Sequence, residues 1–200
     1  DITVQSGGTL EIDGDEYLNS GNGGAATIND ANISIDSGGY LKADGLGFVK
    51  AKGPGYSGTE YSGGSHGGVG GNGGASYGAT SSPNPVYLGS GGNAGAGGGA
   101  LILNISNTFT NAGTTSANGV GNVNGNGAGG TINIIASTFN CSSGTITANG
   151  GVKAGRGGGG GGRIVLRALS SYIGPPILTA NGGAGTPAGT NGSAYINKTP

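Results

Sequence analysis

TLEIDGD (residues 9–15), YLKADGL (40–46), TTSANGV (114–120), TITANGG (145–151) and ILTANGG (177–183) are five versions of one phrase. Their fourth residues, Ile12, Ala43, Ala117, Ala148 and Ala180, lie 31, 74, 31 and 32 positions apart, so the period is about 31 and the long gap is one period plus an insertion of 43. Two positions before each anchor stand Leu10, Leu41, Thr115, Ile146 and Leu178, the two-residue alternation of a strand with one buried face. A short unit of this kind cannot cover its own apolar face and must stack on copies of itself.

Working upstream, Val4, Ile35, Phe109, Phe139 and Tyr172 stand eight or nine residues before the anchors and predict a second strand. Thr27, Leu101, Ile132 and Ile164 stand about sixteen before them and predict a third, within runs such as LILNI (101–105), TINII (131–135) and RIVL (163–166). Each period then reads strand, strand, turn, strand, Asx-Gly corner and Gly-rich return. The expected fold is all-β: a parallel β-helix (solenoid) of about five 31-residue coils, one domain over 1–200, interrupted by a long Gly/Tyr-rich loop at 46–98. A polyglycine II bundle is rejected as the fold, because glycines sit between apolar triplets and not at every third position.

Composition agrees. Gly fills 52 of 200 positions and charged residues only 8%, against about 25% in an ordinary soluble domain. So much Gly excludes a helical bundle, and seven prolines without a three-residue Gly period exclude collagen. No run of 18 apolar residues exists to span a membrane, and no basic cluster interleaved with aromatics points to nucleic acid. No signal-peptide pattern is visible, and the chain opens on ITV (2–4) as a processed secreted protein would. The single cysteine, Cys141, reads as a small buried hydrophobe. Charge is sided: residues 1–60 hold nine carboxylates against three lysines, net −6, and 153–200 hold five cations and no acid, net +5.

No catalytic residue is expected. Glycosidic cleavage needs two carboxylates about 5–10 Å apart, and a lyase needs a base beside a cation. Here acids and arginines stand three to four coils apart, about 15–20 Å at ~4.8 Å per coil. No Ser-His-Asp set is readable, one His without a Cys partner gives no zinc set, and GGGGGG (157–162) lacks the Lys-Ser/Thr ending of a P-loop. No cofactor and no metal are expected. An ice-binding TxT array is reduced to Thr145-Ile146-Thr147 and is set aside.

Four groups of residues carry the remaining expectations. Asp13, Asp44, Asn118, Asn149 and Asn181 share one place before Gly and predict a stacked Asx corner ladder; calcium at Asp13, Asp15 and Glu16 is the alternative use of those oxygens. The insertion, with Tyr56, Tyr61, His66, Tyr77 and Tyr87, reads as a stacking surface for sugar rings or a neighbouring subunit, or as a flap folded over the coils. Asn32, Asn104, Asn140, Asn191 and Asn197 match the N-glycosylation acceptor pattern. Finally, the first period lacks its earliest strand, and Ser193–Asn197 is such a strand with nothing after it. If the one fills the gap of the other in a second copy, the interface comprises Ile2, Val4, Leu10, Ile12, Ala194, Tyr195, Ile196 and Asn197, and the contact repeats head to tail.

The phrases GGxIxI, TIxANGG and GGGGGGRI, with GGSHGGVGG and YLGSGGNAGAGGGAL in the insertion, resemble the glycine-rich β-helical repeats of large secreted and cell-surface proteins of prokaryotes, many adhesin-like or filament-forming. That resemblance implies a right-handed solenoid, an extracellular or cell-surface location and a structural or adhesive role, and assigns no catalytic residue. The expected function is a structural subunit of an extracellular homopolymer. The alternative is a surface adhesin or glycan-binding module, with a surface polysaccharide as partner.

Overall fold

Each repeated phrase forms a short strand, and the aliphatic runs before it form a long one. The computed structural model describes residues 1–17, 21, 23–78, 84–141, 143–174 and 176–198. Among them the long strands are β1 (Ile2–Val4), β3 (Ala26–Ile35), β5 (Ala100–Asn111), β7 (Thr131–Asn140), β9 (Arg163–Ile173) and β11 (Ser193–Lys198), of which β1 and β11 are half length. The short ones are β2 (Thr9–Glu11), β4 (Tyr40–Lys42), β6 (Thr114–Ser116), β8 (Thr145–Thr147) and β10 (Ile177–Thr179). They form two all-parallel sheets, β1-β3-β5-β7-β9-β11 and β2-β4-β6-β8-β10, as stacked coils of a β-solenoid of about six turns.

The expectation of two separate strands upstream of each phrase is corrected. Both segments lie in one continuous strand of 10 to 12 residues in the three complete central coils. No Gly or Pro separates Ile105 from Phe109 or Ala136 from Phe139, so nothing breaks the chain there. A register shift lies between instead, as between Ile105 and Thr108. That bulge absorbs the unequal spacing, three residues between Ile105 and Phe109 but two between Ala136 and Phe139, and returns the following side chains to the core.

Stacking in register turns the period into columns. Leu101, Ile132 and Ile164 stack, as do Leu103, Ile134 and Leu166, and Phe109, Phe139 and Tyr172, whose ring centres are 5.8 Å apart at each step. Leu41, Thr115 and Ile146 face them from the second sheet, and the anchors Ala43, Ala117, Ala148 and Ala180 close the corner, all buried.

The third wall is made of glycine. In the run 157–162 successive N–H groups leave for three different segments in turn: Gly157 to Tyr61 O (3.0 Å), Gly158 to Pro187 O (2.9 Å), Gly159 to Gly151 O (3.3 Å), Gly160 to Gly64 O (2.9 Å), Gly161 to Thr190 O (2.9 Å) and Gly162 to Ala148 O (2.7 Å). Residues three apart share a partner segment, the rotation of a three-fold extended helix with no internal hydrogen bonds. The carbonyls of the same run accept from Asn126, Gly71, Gly183, Gly129, Gly68 and Ser193, again by thirds. This run therefore has neighbours on all sides, and a Cβ on any of its six glycines would stand 1.9–2.1 Å from a backbone oxygen. The polyglycine arrangement rejected as the whole fold is thus one wall of the solenoid. Gly at every third position suffices for a strand with one crowded side, whereas a fully surrounded strand needs Gly throughout.

Candidate functional site

The two ends of the long-strand sheet offer the geometry most suited to an interaction. At one end β1 pairs only with Ile33–Ile35 of β3, so Ala26–Asp30 carries no described strand on its outer side. At the other, β11 pairs only with Arg163–Ala168 of β9, so Ser171–Ile173, paired with β7 on one side, carries no described strand on its outer side. By register, β11 falls in the columns of Ala26–Asp30 and β1 in those of Tyr172 and Ile173.

Of the residues expected there, Val4 and Ile12 are buried, Ile2 and Leu10 half-buried, and all four lie on the first coil. Ile2, Val4 and Leu10 line an open groove of about 360 Å³ between the two sheets. Tyr195 and Ile196 are half-buried, whereas Ala194 and Asn197 are exposed. Ala194 is in register with Ile164 and Ile196 with Leu166, both fully buried one coil below, so the inward positions of β11 lack only a coil above them.

The corner ladder joins four of the five expected residues. Asp44 Oδ1 accepts the N–H of Asn118 (2.6 Å), Asn118 Oδ1 that of Asn149 (2.8 Å), and Asn149 Oδ1 that of Asn181 (2.8 Å). Each side chain holds the backbone one coil on, which gives the stack a direction. Asp13 stands at the head of the row, exposed. With Asp15, Glu16, Tyr17, Leu46, Val49 and others it lines an open cleft of about 540 Å³, in which Asp15 Oδ1 accepts the Tyr17 N–H (2.8 Å) and so closes a turn. Among the described residues no three His, Cys, Asp or Glu gather as a metal-ligand set.

The insertion is built into the glycine wall, which sequence reasoning missed as its main role. His66 is fully enclosed: Nδ1 lies 3.0 Å from Gly129 O and its ring 5.0 Å from that of Tyr77. Burial, with the Arg163 guanidinium nearby, pushes its pKa down to about 3. The Tyr77 hydroxyl donates to Leu88 O and receives the Ser90 hydroxyl (3.1 Å), and burial raises its pKa. Arg163, 2% exposed, donates from Nη2 to Tyr77 O (2.9 Å). Tyr56 and Tyr61 are half-buried: the first donates to Asn93 Oδ1 (3.1 Å), and the second carries the Arg156 guanidinium 3.6 Å over its ring. Tyr87, also half-buried, accepts the Thr131 hydroxyl at its carbonyl (2.8 Å). The rings of His66 and Tyr61 fasten the insertion to the coils, while Tyr56 and Tyr77, both half-buried, bond within the insertion; His66, fully buried, presents no face to a ligand. Loop length and tyrosine content were the visible signal; that GGSHGGVGG supplies lattice strands was legible only from its glycines.

Cys141 is buried and its thiol is pushed up to about 12, which leaves it protonated and packed in the core. Asn104, Asn140, Asn191 and Asn197 are exposed and Asn32 is half-buried. No helix among the described residues is long and apolar enough to cross a membrane. Comparison with family models, curated proteins and solved structures finds no match to the chain.

Proposed function

We propose that this protein is the structural subunit of an extracellular or cell-surface filament, in which copies stack head to tail by exchange of half-strands. The supporting observation is the register of the parallel stack, which sets its two outer faces in matching columns. In the register of the sheet, β11 of one copy lies beside Ala26–Asp30 of the next, and β1 of that copy lies beside Ser171–Ile173 of the first. The two halves together make one full coil, and Leu178 meets Leu10 in the second sheet. An edge with unpaired N–H and C=O groups is a template for strand addition, and a contact between unlike faces propagates without closing. Charge supports the polarity, because the acidic first coils (net −6 over 1–60) meet the basic last ones (net +5 over 153–200). A glycan-binding role for the insertion draws less support, since His66 is fully enclosed and the four tyrosines are each half-buried.

Electron microscopy of the purified chain tests this reading. Filaments with an axial step near five coils, about 24 Å at ~4.8 Å per coil, are expected. Removal of residues 193–200 should leave monomers of unchanged strand content. Normal fibres from that deletion would sink the strand-exchange reading.

A further inference from the structure

The strands that leave the Asx corner carry apolar side chains on the flank of the stack. Three and six residues after the anchor, the second coil places Leu46 and Val49, and the third places Val120 and Val123. In an extended three-fold strand every third residue points the same way, so the four share a face. Val49, Val120 and Val123 are 43–53% exposed and Leu46 is half-buried. The two coils adjoin there: the Gly45 N–H donates to Asn118 O (2.9 Å), and a Cβ on Gly45 would stand 2.7 Å from a Val120 methyl. Along the stack this patch is flanked by opposite charges. At the first coil lies the cleft of about 540 Å³, lined by Asp13, Asp15 and Glu16 together with Leu46 and Val49. At the fourth coil a loop, 152–156, projects as five successive exposed residues, and a Cβ at its Gly155 would meet nothing within 4 Å. Its Arg156 lies over Tyr61, while the Lys153 ammonium is paired with no carboxylate among the described residues. We propose that this flank docks on the same flank of a second copy lying antiparallel beside it, the 152–156 loop of each entering the acidic cleft of the other.

A two-fold axis across the stack, between the second and third coils, keeps each residue's distance from the corner and reverses the order of the coils. Coil two then meets coil three, and coil one meets coil four. Leu46 and Val49 of one copy lie against Val120 and Val123 of the other, which stand equally far from their anchors. Lys153 lies against the carboxylates of Asp13, Asp15 and Glu16. Every contact occurs twice, as an isologous pair requires. A parallel pair would instead set coil one on coil one and Lys153 on Lys153, an arrangement that like-charge repulsion opposes. The face covers four coils, about 19 Å at ~4.8 Å each, and about seven residues across, about 22 Å at ~3.1 Å each. About 400 Å² on each copy, before side-chain relief, is at the small end for a specific contact, so the pair is reversible and weakened by salt. It runs along the flank of the stack and is independent of the filament reading.

Disulfide trapping tests the antiparallel register in the full chain. A Val49→Cys chain and a Val123→Cys chain, one of them carrying a mass tag so that the three possible dimers separate, are mixed in equal amounts, oxidised in air and run on a non-reducing gel. The mixed dimer should exceed the two homodimers combined at least fivefold, where random encounter gives about equal amounts. Cys141 is buried and stays out of the reaction. A random ratio, an excess of homodimers or no disulfide at all overturns the proposal. Lys153→Glu introduced into both chains should lower the yield of mixed dimer at least fivefold, and adding Asp13→Lys with Glu16→Lys should restore it to within about twofold. A yield unmoved by Lys153→Glu overturns the docking of the loop in the cleft. The substituted residues lie on the surface, and circular dichroism of each variant separates misfolding from lost contact. The gel reads this contact whether or not electron microscopy shows filaments, so either reading can fail without the other.

Discussion

His66 shows what enclosure costs a single side chain. An imidazole ordinarily titrates near 6.5, and here burial beside Arg163 lowers that to about 3, so the folded state binds its proton less readily than the unfolded state does. The stability this contributes is complete above the unfolded value and is lost as pH falls from about 6.5 toward 3. At 1.36 kcal/mol per pH unit, acidification from pH 7 to pH 4 should remove about 3 kcal/mol. Urea melts between those pH values measure it, and His66→Phe should flatten the dependence. Glycine makes the opposite point, for its value lies in what is missing. A Cβ at Gly160 would stand 2.1 Å from Gly68 O, whereas one at Gly155 meets nothing within 4 Å and suffers only the strain of a φ of +106°. Gly160→Ala should therefore destabilise by more than about 3 kcal/mol and Gly155→Ala by about 1 kcal/mol, a contrast that thermal melting resolves.

At the scale of the element, the Asx ladder is a chain of identical bonds, each worth roughly 1 kcal/mol net and more when its loss strands a donor. Asn149→Ala removes the acceptor for the Asn181 N–H and should cost about 1–2 kcal/mol, while Asn149→Asp keeps the oxygen and should cost little. The aromatic column depends on size instead. Phe139 is fully buried between Phe109 and Tyr172, so Phe139→Ala leaves a cavity worth about 3–5 kcal/mol in denaturant titration. The long strands were anticipated as pairs because the apolar pattern changes spacing midway. A bulge reconciles the two spacings without a turn, and bulges follow from cross-strand register, which neighbouring residues in the chain do not encode.

For the whole molecule, in the proposed filament, opposed charge along the stacking axis would steer one end toward the other. Raising ionic strength from about 0.01 to 0.5 M shortens the screening length from about 30 Å to a few ångströms, so filament elongation followed by light scattering should slow several-fold. Final length should change less, because strand pairing and apolar burial at the junction are not screened in the same way. A rate independent of salt would separate assembly from this charge asymmetry.

The period, the inward columns and the corner ladder were determined by the sequence alone, whereas the merging of two expected strands into one, which leaves two sheets per coil, was decided by cross-strand register. Stacking equivalent units places equivalent residues beside one another, so Ala43, Ala117, Ala148 and Ala180 meet because they recur. The partners of the glycines were decided only by the tertiary structure. Glycine has no side chain whose alternation could mark a face, and its hydrogen bonds reach segments far away in the chain, Gly160 to Gly64 and Gly161 to Thr190. The burial of His66 follows from that wall, as does the role of the insertion as part of it.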